Sequence, residues 1–179
     1  MGHRRVVLLL VNSNVDVNTT NGGATTPILH AAQRRCWGVV KLLTHLGADI
    51  HRADKLCGMT ALHYAARAGH RGVLQLLVDH GADATMTDKM AGMIPLQYAA
   101  FGGHRKMVKL LIDLNTNVNS MADGTTPLHC AVHNGHQPVV QLLLDQMADP
   151  NQRDESGKTP RRLAAELGDQ EIMHLLMPL

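Results

Sequence analysis

Aromatic residues are nearly absent from this 179-residue chain, at 2%, with one Trp, two Tyr and one Phe. Ala, Leu, Val and Met supply the apolar content instead, the small and medium side chains that thin, stacked helix pairs require. Cysteine is scarce too. Cys36, Cys57 and Cys130 are odd in number, widely spaced and without a paired-cysteine motif, which points to free thiols in a reducing compartment. A charge excess is missing: the formal net charge of +2 is too small to argue for nucleic acid. Long hydrophobic runs are missing as well. The apolar stretch Val6 to Val11 has no small-residue cleavage site after it and is too short to span a membrane. Val6 stands where a myristoylation signal needs Ser or Thr. Gly22-Gly23 is followed by no Gly-Lys-Ser/Thr, so there is no phosphate loop. These absences lead to the expectation of a cytoplasmic or nuclear protein with no cofactor, no membrane association and no nucleic-acid partner.

What the chain does have is self-similarity. Thr126-Pro127-Leu128-His129-Cys130-Ala131-Val132 opens as a capped helix with proline in its first turn. Asn134-Gly135 stops that helix, and a second apolar run ends near Asp149. Such a hairpin is too small to bury its own apolar face. Related stretches begin at Thr26-Pro27-Ile28-Leu29, Thr60-Ala61-Leu62-His63, Ile94-Pro95-Leu96-Gln97 and Thr159-Pro160-Arg161-Arg162. Taking Leu29, His63, Gln97, His129 and Arg162 as equivalent gives a period near 33 residues. That period, with Thr-Pro-Leu-His-x-Ala-Ala and a Gly-His before the second run, resembles the ankyrin repeat.

The resemblance implies an all-α ankyrin-repeat solenoid of about five helix-turn-helix repeats, with short β-hairpin-like fingers between them. The expected spans are a half repeat at 1–20, repeats at 21–53, 54–87, 88–121 and 122–153, and a capping repeat at 154–179. The half repeat, aligned from Gly2-His3 on Gly135-His136, holds a second helix without a first. Its apolar character predicts a fragment or short form of a longer array, fraying there or associating end to end but otherwise monomeric. In the last repeat Arg161 stands where Leu is expected, which a terminal cap tolerates because one side lacks a neighbour.

No catalytic arrangement emerges, so an enzyme is not expected. His129 and His133 are four residues apart on one helical face, a spacing that can bind zinc. But His63 and His70 repeat the separation of His129 and His136, which assigns these histidines to the repeat's own architecture. The recurring Asp16, Asp49, Asp83 and Asp149 read as turn formers for the same reason.

Positions that differ between repeats carry the functional expectation. The residue after the His slot reads His30, Tyr64, Tyr98, Cys130 and Leu163; the residue after Ala-Ala reads Gln33, Arg67, Phe101, His133 and Glu166. By resemblance this helix lines an inner face that contacts partners, and Tyr and Arg are favoured at interfaces. The expected protein-binding residues are Arg34, Tyr64, Arg67, Tyr98, Phe101 and His133, with Lys55, Leu56, Lys89 and Met90 on the fingers. Burial of Tyr64 and Tyr98 between helices is the competing expectation. Asn18, Asn119 and Asn151 occupy a finger slot that an asparaginyl hydroxylase can modify in ankyrin-repeat proteins, and Asn18 fits best; turn formation is the bland reading. The chain thus reads as a non-catalytic protein-interaction module, a scaffold or an inhibitor. The alternative is a passive spacer within a longer protein whose effector domain lies elsewhere.

Overall fold

A computed structural model of the chain describes residues 16–21 and 25–177, which divide into two compact units, 1–90 and 91–179. Unit 1 holds α1 (Pro27–Gln33), α2 (Trp37–His45), α3 (Ala61–Ala68) and α4 (Arg71–Asp79). Unit 2 holds α5 (Pro95–Phe101), α6 (Arg105–Asp113), α7 (Pro127–His133), α8 (Gln137–Asp145), α9 (Pro160–Leu167) and α10 (Gln170–Leu175). The half repeat's helix, and any end-to-end association through it, lie outside the described residues.

The helices start where the sequence provides for it. Thr26, Thr60, Thr126 and Thr159 sit in extended backbone just before α1, α3, α7 and α9. Thr126 Oγ1 accepts the His129 N–H at 3.3 Å, satisfying one orphan donor of the first turn. The ends are equally local. Gly69 and Gly168 adopt left-handed backbone, φ 72° and 73°, as C-caps. The matching slot after α1 holds Arg35 at φ 65°, a conformation glycine takes without strain and arginine does not. Its guanidinium holds it there, donating from Nη2 to the Ala68 carbonyl of the next repeat at 2.7 Å.

Packing follows the repeat. In unit 1, α1 lies against α2 and α3, and α4 against α3 and α2. In unit 2 the first helices α5, α7 and α9 stack in order, each backed by its second helix. The same core slot is filled by Ile28 and Leu62 in unit 1 and by Leu96 and Leu128 in unit 2, all essentially inaccessible. Burying each such side chain contributes about 1.5–3 kcal/mol. Arg161 holds the equivalent position in the last repeat and is exposed, so no unpaired charge is buried there.

The fingers are hairpin-like without forming a sheet. Among the described residues they contain no strand, only an isolated antiparallel bridge between Ala122 and Thr125. Single backbone bonds close other fingers, from the Asn21 N–H to the Thr25 carbonyl, from Asp54 to Met59 and from Asp154 to Lys158. Asp49, Asp83 and Asp149 each accept the backbone N–H two residues on, at 2.8–2.9 Å, as turn-forming residues do. Asn18 and Asn119 add a link between fingers, their Oδ1 atoms accepting the N–H of Asp49 and Asp149 at 2.8 Å.

Candidate functional site

The histidine slot is structural, and the hydrogen bonds show how. His129 is 1% exposed. Its Nδ1 lies 2.9 Å from Thr126 Oγ1, and its Nε2 lies 3.1 Å from the Lys158 carbonyl of the next repeat. Only a neutral ring with the proton on Nε2 can donate to that carbonyl while Nδ1 accepts the Thr126 backbone N–H. Burial holds the His129 pKa below its usual value, against the bond to Lys158. With both ring nitrogens engaged, His129 has no lone pair to share with a metal alongside His133. Gln97 fills the same slot in the preceding repeat: its Oε1 accepts from Ile94 N–H at 3.0 Å and its Nε2 donates to the Thr125 carbonyl at 2.9 Å.

In unit 1 the first-helix ends and the finger tips form one connected surface. Gln33, Tyr64, Arg67 and Ala68 line a shallow cavity of about 290 Å³. Tyr64 is half-buried and joins that cavity to the finger, its hydroxyl donating to Asp54 Oδ2 at 3.2 Å. Burial first, and then the Asp54 carboxylate, push the Tyr64 pKa up to about 12. Asp54 is itself buried, which opposes ionisation. Donors from the Cys57, Met59 and Leu56 backbone outweigh that and keep its pKa below the ordinary value. The neighbouring finger is tied on by Lys89 N–H donating to the Cys57 carbonyl at 2.8 Å. Arg34, Lys55, Arg67 and Lys89 are exposed on this surface, and Leu56 and Met90 project at the tips with 73% and 75% exposure.

In unit 2 the surface is apolar at its centre. Phe101, half exposed at the end of α5, borders a cavity of about 320 Å³ with Met93, Cys130, His133, Asn134 and Leu163. His133 is exposed at the end of α7, and Tyr98 is half-buried on α5. Cys130 serves as lining rather than nucleophile: burial pushes its thiol pKa up to about 11. The ten expected contact residues therefore fall into two groups, seven in unit 1 and Tyr98, Phe101 and His133 in unit 2. Asn18 has its amide oxygen engaged by the Asp49 N–H, a link to the next finger rather than a bond within its own turn. Trp37, which the first-helix columns do not include, is 47% exposed on α2 with the Lys41 ammonium 5.2 Å from its ring centre.

A family model of ankyrin repeats, built on three copies, matches residues 1–88, 29–122, 81–154 and 115–179. The chain belongs to the ankyrin-repeat family. Ankyrin repeats generally bind other proteins, and the ankyrin-repeat fold is itself non-catalytic. Among curated proteins, this ankyrin-repeat chain is 42% identical over 69 residues to "Probable E3 ubiquitin-protein ligase XBOS32" of Oryza sativa subsp. japonica. It is 44% identical over 69 residues to "E3 ubiquitin-protein ligase XBAT32" of Arabidopsis thaliana. Each match covers 38% of this chain and 14% of the relative. The chain thus spans about a seventh of the curated relatives it matches, and only within repeats. Among the described residues, no helix is long and apolar enough to cross a membrane.

Proposed function

We propose that this chain is a non-catalytic recognition module that holds a partner protein on its first-helix ends and finger tips. One observation carries the reading: Phe101, a large apolar side chain, is half exposed beside a cavity lined by Met93, Cys130 and Leu163. An aromatic edge next to an apolar cavity offers area for an anchor side chain, with His133 and Asn134 as polar margin. Unit 1 supplies a second, polar group through Arg34, Arg67, Tyr64 and the finger lysines. The cysteines Cys36, Cys57 and Cys130 are free thiols, which supports a cytoplasmic or nuclear setting.

The test is affinity capture from cell lysate, read by mass spectrometry, with the wild-type chain beside Phe101→Ala. The variant should keep the wild-type thermal unfolding profile and lose most of the specifically captured protein. An unchanged capture profile with intact fold would remove Phe101 from the site.

A second reading is favoured by the coverage of the relatives, which match only within their repeats. Here the repeats serve as one segment of a longer protein, either a passive spacer or the part that holds a target for a ubiquitin-ligase activity residing elsewhere. Capture of nothing by a folded wild-type chain would favour the spacer.

A further inference from the structure

Charge divides unequally along the sequence. Residues 1–90 hold ten Lys or Arg against six Asp and no Glu, while residues 91–179 hold seven against nine Asp or Glu. Among the described residues of unit 1 the balance is eight Lys or Arg against six Asp, and four of the eight belong to the recognition surface. Arg67 and Arg34 stand at the ends of α3 and α1, and Lys55 and Lys89 at the finger tips.

The carboxylates of the same unit are occupied locally. Asp16, Asp49, Asp54, Asp83 and Asp88 each accept a backbone N–H of their own turn, and Asp79 accepts from Gln75 one helical turn away. Asp54 and Asp88, the two nearest the tips, are 2% and 4% exposed. At the tips, therefore, Lys55 and Lys89 are exposed while the adjacent Asp54 and Asp88 are buried; Asp16, Asp49, Asp79 and Asp83 are exposed elsewhere in the unit. The surface is continuous: Lys89 is tied to the Cys57 finger, that finger's Asp54 to Tyr64, and Tyr64 shares a cavity with Arg67 and Gln33. A Cβ on Gly58 would collide with Lys89, so the start of the lysine side chain packs against the neighbouring finger while the residue as a whole is exposed.

We infer that unit 1 is the docking surface for an acidic peptide segment in which Asp or Glu alternates with apolar side chains. The carboxylates pair with Arg34, Arg67, Lys55 and Lys89, and the apolar side chains rest on Leu56 and Met90. This rests on the recognition reading above and adds the chemistry of the partner. Single-stranded nucleic acid fits less well, because base stacking needs several presented aromatic faces and the described residues of unit 1 present one, Trp37, on the second helix α2 with the Lys41 ammonium over its ring. Tyr64 is half-buried with its hydroxyl tied to Asp54, and the tips offer Leu56 and Met90 instead.

The experiment uses the whole chain and fluorescence anisotropy. The probe is a labelled peptide alternating Glu and Leu, and the control is the same peptide with Gln for every Glu. The Glu peptide should bind about tenfold more tightly at low salt, an advantage that shrinks as salt is added. Arg67→Glu and Lys89→Glu should each weaken it about threefold or more. Arg161→Glu, exposed in unit 2, should leave it unchanged. Circular dichroism melts would establish that all three variants fold.

Equal binding of the two peptides, or equal weakening by Arg161→Glu, would overturn the inference. So would displacement of the peptide by single-stranded RNA or by phosphatidylserine vesicles at lower concentration than unlabelled peptide. If the Glu peptide fails to bind while Phe101-dependent capture persists, only this inference falls. Failure of both removes the recognition reading as well.

Discussion

In unit 1 the last turn of α3 presents Arg67 and the finger tips present Lys55 and Lys89. The matching positions in unit 2 are Phe101 and His133 on the helices, with Asp123 and Glu155 at the tips. The scaffold beneath is the same in both: a capped start, an Ala-rich inner turn, a left-handed stop and an apolar second helix. At these positions what differs is side chains that the repeat does not need for packing. A repeat can therefore change its partner chemistry without changing its stability, provided the two sets of positions are independent. That independence is open to direct attack.

The largest effect should come from the shared scaffold. Leu62→Ala in unit 1 and Leu128→Ala in unit 2 each empty a slot that is 1% exposed. Each should cost about 2–5 kcal/mol in urea unfolding, with the spread set by how far the site collapses. Costs differing by more than that spread would show that the units are not equivalent beneath their surfaces. Removal of Phe101 or Arg67, by contrast, should act on binding and leave unfolding nearly untouched.

The histidine slot sharpens the comparison within unit 2, where His129 and Gln97 do the same work. His129→Ala leaves Thr126 and the Lys158 carbonyl without their buried partner and should cost about 2–4 kcal/mol. His129→Gln should cost under about 1 kcal/mol, because Gln97 already satisfies equivalent groups with an amide. The pH dependence has a definite sign. Folding lowers the His129 pKa, so below the unfolded value of about 6.5 the unfolded chain binds more protons than the folded one. Stability contributed at this position is complete above that pH and declines as pH falls towards the folded pKa. The Gln variant should lack that part of the acid sensitivity, measured as the difference between the two urea midpoints from pH 7 to pH 5. Identical acid profiles would mean that His129 titrates normally in the folded chain.

Much of this was legible in the residues themselves. The Thr-Pro starts, the His slot, the Asn-Gly stop and the recurring Asp turns each name a local hydrogen bond, and local bonds repeat when the sequence does. Their comparison across copies also separated architecture from variation, which is how Phe101 and Arg67 stood out. The fingers were less legible. Their residues fit a hairpin, and single backbone bonds close it, but the links from Asn18 to Asp49 and from Asn119 to Asp149 join residues about thirty apart with no motif. Trp37 lies on a second helix, outside the columns that differ between first helices. The bond from Tyr64 to Asp54, which joins helix to finger, links residues ten apart with no motif to announce it.

Arg35 is the smallest and least legible case, since an arginine after Gln33-Arg34 reads as ordinary surface charge. Its slot holds glycine in the other copies, at Gly69 and, in unit 2, at Gly103, Gly135 and Gly168, all at φ near 70°. Arginine pays about 1–2 kcal/mol of backbone strain there and recovers about as much through its bond to the Ala68 carbonyl. Arg35→Gly relieves the strain, loses the bond and adds freedom to the unfolded chain, so its net effect on urea unfolding should stay within about 1 kcal/mol. Arg35→Ala keeps the strain and loses the bond, and should be the more destabilising of the two. The order matters more than the size. If alanine were tolerated better than glycine, the bond to Ala68 would not be what holds residue 35 in left-handed backbone, and the first repeat of unit 1 would owe its geometry to packing alone.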